Sequence, residues 1–260
     1  MIKLRQLLSE TLQESVNDKN IFKAVFLAGG PGSGKGFILN KLLGGSSISP
    51  FGAKVVNSDT FFEYLLNKNN LPFQIDMSSV VYQQQMSQRA RAKSLASNQF
   101  FQIVNGCLPV FIDGTGSDPD KIKTTSETLR SLGYDTSMVF VNTALETALK
   151  RNSMRQRKVP TEIVTQKWNE VQQNIGTLQA YFGNQNFLIV DNNIEYQTES
   201  QEYKDLMLQL FRQGKRLLES PIRNPIGKRL IKLMRHEGVA YISDLSLGQD
   251  LSRVVSRVKP

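Results

Sequence analysis

Gly29-Gly30-Pro31-Gly32-Ser33-Gly34-Lys35 is entered directly from the apolar run Ala24-Val25-Phe26-Leu27-Ala28 and leads into Phe37-Ile38-Leu39-Asn40-Lys41-Leu42-Leu43. A buried strand, a glycine-rich turn and a helix in that order make a phosphate-binding loop. Small residues let backbone N–H groups converge on phosphate oxygens, and the positive end of the following helix faces the same anion. Lys35 extends a mobile point charge toward the β- and γ-phosphates. The spacing G-x-x-x-x-G-K makes Gly30, Pro31, Gly32, Ser33, Gly34, Lys35 and Gly36 the expected nucleotide-binding residues, with ATP as the nucleotide. One position departs from the pattern. After Lys35 a Ser or Thr hydroxyl ordinarily binds Mg²⁺, whereas this chain has Gly36 and then Phe37. Neither side chain coordinates a metal, so Mg²⁺ is expected to rest on phosphates, waters and carboxylates from elsewhere, which this ion accepts.

Two further strands supply acids. Ala53-Lys54-Val55-Val56-Asn57-Ser58-Asp59 is expected to end at Asp59, with a helix from about Thr60. Ligands of open α/β sheets sit beyond the carboxyl ends of the strands. Asp59 is therefore placed to accept a proton from an acceptor hydroxyl, or to cap the helix that follows. Leu108-Pro109-Val110-Phe111-Ile112 ends in Asp113-Gly114-Thr115-Gly116, and Asp113 is the expected holder of Mg²⁺ through water. Asp118-Pro119 reads as the cap and first turn of a helix from Asp120 to Leu132. Between these strands lies one long helical stretch, Ser78 to Val104, whose Arg89 and Arg91 are read either as contacts to an acceptor phosphate or as solvated surface.

A fourth strand, Thr136 to Asn142, is followed by Thr143 as the expected cap of a helix running to about Met154. That helix ends in Lys150, Arg151, Arg155, Arg157 and Lys158, then Val159-Pro160 and a second helix over 161–182. A preference of cations for helix C-termini explains one or two of these five. The whole set suits a hairpin that closes over nucleotide phosphates, with Arg151, Arg155 and Arg157 neutralising charge on the transferred group. Trp168, Leu178, Tyr181 and Phe182 read as core. The fifth strand, Asn186 to Asn192, places Asn192 and Asn193 where an adenine or ribose would lie. Helices follow at about 199–218 and 225–236.

At 260 residues and 40% hydrophobic content, the chain can bury one good core with a small appendage. No run approaches the 18 apolar residues a membrane span needs, and Met1 to Leu8 is too short and mixed for a signal peptide, so a cytoplasmic protein is expected, or one in the host cytoplasm if the source is viral. The single cysteine, Cys107, excludes a disulfide framework and reads as an apolar filler; the single histidine, His236, excludes a His-clustered metal site. The net charge of +9 is uneven, because residues 211–260 carry 11 Lys/Arg against 4 Asp/Glu. Such a basic tail, spanning about 212–259, is consistent with nucleic acid or another polyanion as a partner.

The segment Leu149-Lys150-Arg151-Asn152-Ser153-Met154-Arg155-Gln156-Arg157-Lys158-Val159-Pro160 resembles the lid of phage-type polynucleotide kinases. The resemblance extends to Gly29–Lys35, to Asn57-x-Asp59 and to Thr115-x-x-x-Pro119, covering about residues 22–180. It implies transfer of the ATP γ-phosphoryl to a hydroxyl, with Lys35 on phosphate, Asp59 as general base and Arg155 with its neighbours clamping the transition state. Three positions depart: Gly36 replaces the Mg²⁺-binding hydroxyl, Phe62 stands where that family carries an Arg for the acceptor phosphate, and Asp113 lies one residue before that family's acid. The loop and strand-end acid are similar to zeta-toxin kinases too, which phosphorylate a nucleotide sugar. The start of the chain also looks like kinases of large tailed phages.

The expected architecture is an α/β P-loop NTPase: a five-stranded, mostly parallel sheet with helices on both faces. An N-terminal amphipathic helix over 1–20 precedes the kinase domain at 21–195, whose lid spans about 150–162. A basic helical extension fills 196–260. The expected reaction is phosphoryl transfer from ATP to a nucleic-acid end, a nucleoside or nucleotide, or a nucleotide sugar. The alternative is a catalytically weak nucleotide-binding protein that docks on nucleic acid or a phage protein.

Overall fold

The computed structural model describes residues 21–42, 52–75, 78–155, 157–193 and 200–238. The expected helix over 1–20 and most of the turn at 44–52 lie outside these residues. β1 (Lys23–Ala28) is buried at every position, as the central strand of a sheet covered on both faces must be. It pairs in parallel with β3 (Val110–Asp113) on one side and with β4 (Asp135–Asn142) on the other. β2 (Lys54–Val56) and β5 (Phe187–Asp191) complete a five-stranded parallel sheet in the order β2-β3-β1-β4-β5. The chain thus has the α/β fold of a P-loop NTPase. The register aligns Leu27 with Asp113, which brings the acid to the edge where the phosphate loop begins.

Eight helices occur among the described residues: α1 (Lys35–Leu42), α2 (Ser58–Lys68), α3 (Tyr82–Asn105), α4 (Pro119–Ser131), α5 (Leu145–Ser153), α6 (Thr161–Phe182), α7 (Gln201–Glu219) and α8 (Pro225–Glu237). One core, with Phe22, Phe26, Phe100, Tyr134, Phe140 and Phe182, lies on one face of the sheet, and a second, with Val25, Leu27, Ile38, Leu42, Phe111 and Val139, on the other. This division follows from the alternation of side chains along a strand. Cys107 belongs to the first core, where burial pushes its thiol up to about 12. β2 and β5 are shorter than expected, β1 and β4 begin one residue earlier, and two caps differ. Asn57, not Asp59, caps α2: its Oδ1 accepts the Asp59 amide at 2.7 Å, so Asp59 sits inside the first helical turn. Thr143 caps nothing, because its hydroxyl donates to Ser33 O at 3.1 Å and the helix begins from Ala144 without a side-chain cap. Asp118 caps α4 as expected, accepting from Lys121 N.

The last two helices pack on this same body. Leu210 and Leu218 of α7 enter the second core beside α1. α8 is placed by Asn224, which caps it through Oδ1 and donates from Nδ2 to Arg130 O and Tyr134 O. At the root of β1, the nearly buried Lys23 ammonium donates to Asp135 Oδ2 at 2.8 Å, and that carboxylate also accepts the Arg223 and Asn224 amides.

Candidate active site

The phosphate loop is held by the elements around it. Gly32 and Gly34 have φ of +80° and +84°, and a Cβ on either would stand 2.2 Å from Ala148 O or Asn192 Nδ2 respectively. Only glycine fits both the torsion and the approach. Ser33 O accepts from Thr143 Oγ1 and from Asn192 Nδ2 at 2.7 Å, and Gly29 N donates to Thr115 O at 3.0 Å. Lys35 Nζ donates to Gly29 O at 2.6 Å. Burial lowers the Lys35 pKa, with Asp113 opposing, Arg155 reinforcing and Asp59 opposing again. Trp168 covers the loop, its Cα about a side-chain width from Gly30 and its indole N–H donating to Thr143 O at 2.7 Å. Leu178 and Phe182 are core as expected, whereas Trp168 is a half-exposed brace.

Asn192 and Asn193 are both engaged with the framework around the loop. Asn192 is buried with its amide on Ser33 O, and Asn193 accepts from Ala144 N while donating to Asp191. Arg151 donates to Asn192 O at 2.8 Å and does not line the cleft. These three side chains brace the back of the loop, because β5 and α5 deliver them behind it rather than across its open side.

The open side is a cleft of ≈ 790 Å³ at the C-terminal edge of the sheet. Lys35, Gly36, Asn57, Asp59, Asp113, Arg155 and Arg157 all line it. Asp113 accepts from Asn57 Nδ2 at 2.6 Å through Oδ2, and its buried Oδ1 has no hydrogen-bond partner among the described residues. Burial raises the Asp113 pKa, Lys35 draws it back, and Asp59 raises it again. Asp59 is half-exposed and meets Arg157 Nη2 at 3.1 Å; Arg157 Nε also binds Glu63 Oε1 at 3.0 Å. One lid guanidinium therefore bridges two carboxylates one helical turn apart on α2.

The lid loop between α5 and α6 is closed at its base by Asn152. This buried side chain donates to Val159 O at 2.7 Å and accepts Val159 N at 3.1 Å. Of the five expected lid cations, Arg155 and Arg157 reach the cleft; Lys150, Arg151 and Lys158 do not line it. Glu63, Asn57 and Asn152 escaped the sequence reading. The spacing of Glu63 four residues after Asp59 was the available signal for the first; Asn57 and Asn152 act through partners 56 and 7 residues away, which no spacing announces.

A magnesium ion fits this cleft in a particular way. The unpartnered Asp113 Oδ1 offers one oxygen, and Gly36 offers none. No group of three His, Cys, Asp or Glu able to hold a metal occurs among the described residues. One carboxylate with waters and substrate phosphates is an ordinary Mg²⁺ environment.

Comparison with known proteins places the whole. The zeta toxin family model matches residues 9–201. No curated protein matches the sequence. Among solved structures, the AvrRxo1-ORF1:-ORF2 complex matches with a TM-score of 0.52 at 13% identity, over 96% of this chain and 87% of that one. The PezAT chromosomal toxin-antitoxin system of Streptococcus pneumoniae gives 0.46 at 18%, over 83% and 95%. Shikimate kinase from Bacteroides thetaiotaomicron gives 0.41 at 15%, over 76% and 98%. No helix among the described residues is long and apolar enough to cross a membrane.

Proposed function

The chain belongs to the zeta toxin family, and from that premise we propose that it transfers the γ-phosphoryl group of ATP to a hydroxyl of a nucleotide sugar, a nucleoside or nucleotide, or a nucleic-acid end. The observation that carries this reading is the convergence of Lys35, Asp59, Asp113, Arg155 and Arg157 on one cleft beside the phosphate loop. The loop amides and Lys35 would position the ATP phosphates in line with the acceptor. Asp59 would take the acceptor hydroxyl's proton, while Arg155 and Arg157 would neutralise charge on the transferred group. Arg151 supports this from behind by fixing Asn192 on the loop. Asp113 would hold Mg²⁺ through water, and a bound ion would supply charge neutralisation for the transferred group.

The test is γ-labelled ATP with Mg²⁺ and a panel of 5′-hydroxyl DNA and RNA, nucleosides, nucleoside monophosphates and nucleotide sugars. Label is expected in one acceptor class, lost with Lys35→Ala together with ATP binding. Asp59→Asn is expected to keep ATP binding and lose about 10²–10⁴-fold in kcat. Full transfer by Asp59→Asn removes Asp59 as the base.

A second reading rests on α8. Lys228, Arg229 and Lys232 are exposed on it and form no ion pair among the described residues. This face would dock on nucleic acid, in a protein that binds ATP without turnover. Changing all three to Gln should then flatten the salt dependence of duplex-DNA binding by roughly 0.9 per lost phosphate contact. An unchanged slope makes the face ordinary solvated surface.

A further inference from the structure

The two helices that flank the lid both lie against the phosphate loop, and from this we infer that Trp168 is a positioning residue tying occupancy of that loop to placement of the lid arginines. The inference deepens the kinase reading above, on which it rests, but its test needs nucleotide binding alone.

α5 meets the loop at Ala148, whose carbonyl oxygen would stand 2.2 Å from a Cβ on Gly32. α6 meets it at Trp168, whose Cα would stand 3.7 Å from a Cβ on Gly30. Ala148 is one turn before Asn152, and Trp168 lies roughly 10 Å along α6 from Thr161. Between those points the lid has little slack. Asn152 both donates to Val159 O and accepts Val159 N, and Arg155 N donates to Asn152 O at 3.2 Å. Phosphate loop and lid arginines are thus two ends of one helical hairpin. On the α6 side the contact is also a hydrogen-bonded relay. The Trp168 indole N–H donates to Thr143 O at 2.7 Å, and the Thr143 hydroxyl donates to Ser33 O at 3.1 Å. Within two further turns, Gln172 Nε2 donates to Asn142 Oδ1 at 3.1 Å and Asn174 Nδ2 to Gly116 O and Ser117 O, each at 3.2 Å. α6 is therefore registered on the end of β4 and on the loop after β3 as well. Leu178 and Phe182 of the same helix fill the core, whereas Trp168 is half-exposed and contributes its contact to the loop instead. Phosphates that engage the loop amides and the lid arginines together favour the one hairpin position that serves both. Linkage then requires that whatever loosens the hairpin from the loop weakens nucleotide binding and the lid's response alike.

The test uses the full chain with Mg²⁺ and the non-hydrolysable ATP analogue adenylyl imidodiphosphate, without any acceptor. Trp168 is the only tryptophan, so its emission reports the contact directly. In the wild type, the analogue is expected to shift that emission and to slow tryptic cleavage after Arg157 and Lys158 by about tenfold. Trp168→Phe keeps a ring but removes the N–H donor. Loss of one hydrogen bond should weaken the analogue by about two- to tenfold in calorimetry, and at saturation the lid protection should fall to about twofold. Thr143→Val breaks the next link while leaving the reporter in place, so the emission shift and the lid protection should shrink together. Cleavage after Lys215 of α7 reports general opening and should be the same in all three proteins. Full lid protection in both variants, an unshifted emission in the wild type, or equal acceleration at Lys215 overturns the inference. If these responses stand while no acceptor takes label, the kinase reading fails alone; if the analogue does not bind the wild type, both fail.

Discussion

The two sides of the cleft are built on different physics. On the phosphate-loop side, the loop is fixed by backbone: left-handed glycines and the Ser33 carbonyl, which accepts from Thr143 and Asn192. On the opposite side, half-exposed charges from α2 and the lid meet across the opening, as in the Arg157 bridge to Asp59 and Glu63. The first is a packed template that tolerates almost no change of shape. The second is a set of side chains whose partners can be exchanged when a substrate enters. Binding of ATP and choice of acceptor are thus expected to respond to different kinds of mutation.

Gly32→Ala should be the most damaging change on the loop. The added methyl would meet Ala148 O at 2.2 Å from a backbone at φ +80°, so strain and overpacking together cost about 4 kcal/mol. Urea unfolding and ATP titration should both register the loss. A variant of near-native stability with normal ATP affinity would show that the loop is not the rigid template described here.

Lys23→Met provides the buried counterpart of the cleft's exposed pairs. It should destabilise by about 3 kcal/mol at pH 7, because Asp135 stays buried without its ammonium partner. Burial raises the Asp135 pKa, but the bonds from Lys23, Arg223 N and Asn224 N outweigh it and hold the carboxyl below its usual range. A depressed carboxyl contributes stability above the unfolded value of about 3.9 and loses it as pH falls through the folded value. The gap between wild type and Lys23→Met should therefore narrow as pH drops below about 4. A gap that widens on acidification contradicts the pairing.

Glu63→Gln sits on the exposed side, where the ion pair contributes about 0–1 kcal/mol to stability. Its expected effect is on function: a several-fold fall in kcat/KM, as Arg157 loses one of two anchors while the melting temperature hardly moves. A large stability loss without kinetic change would reverse the contrast.

Gly36→Thr should be the mildest. A Cβ there meets nothing within 4 Å, so the side chain starts in open space and stability should stay within about 0.5 kcal/mol. The new hydroxyl would lower the Mg²⁺ concentration needed for half-maximal rate. A higher Mg²⁺ requirement would mean that the lid or acceptor uses this space.

Much of this was legible in order along the chain. The strand–loop–helix at Gly29–Lys35, the alternation of strands and helices, the basic helix–loop–helix hairpin around 150–162 and the acids at Asp59 and Asp113 are local patterns whose period and spacing carry their own physics. The errors have one cause. Thr143 was read by sequence position as a cap, but its hydroxyl is claimed by Ser33 O, 110 residues away, and Asn192, 159 residues from Ser33, is held to the same carbonyl. Glu63 gained its place only when α2 and the lid met at Arg157.

By itself, then, the sequence determined the fold class and the phosphate-binding loop, because both follow from backbone conformation and hydrophobic period within short stretches. Only the tertiary structure decided which charges line the cleft and which are spent on bracing. That choice depends on distances between elements far apart in the chain, where Coulomb energy and hydrogen-bond geometry change steeply over a few ångströms.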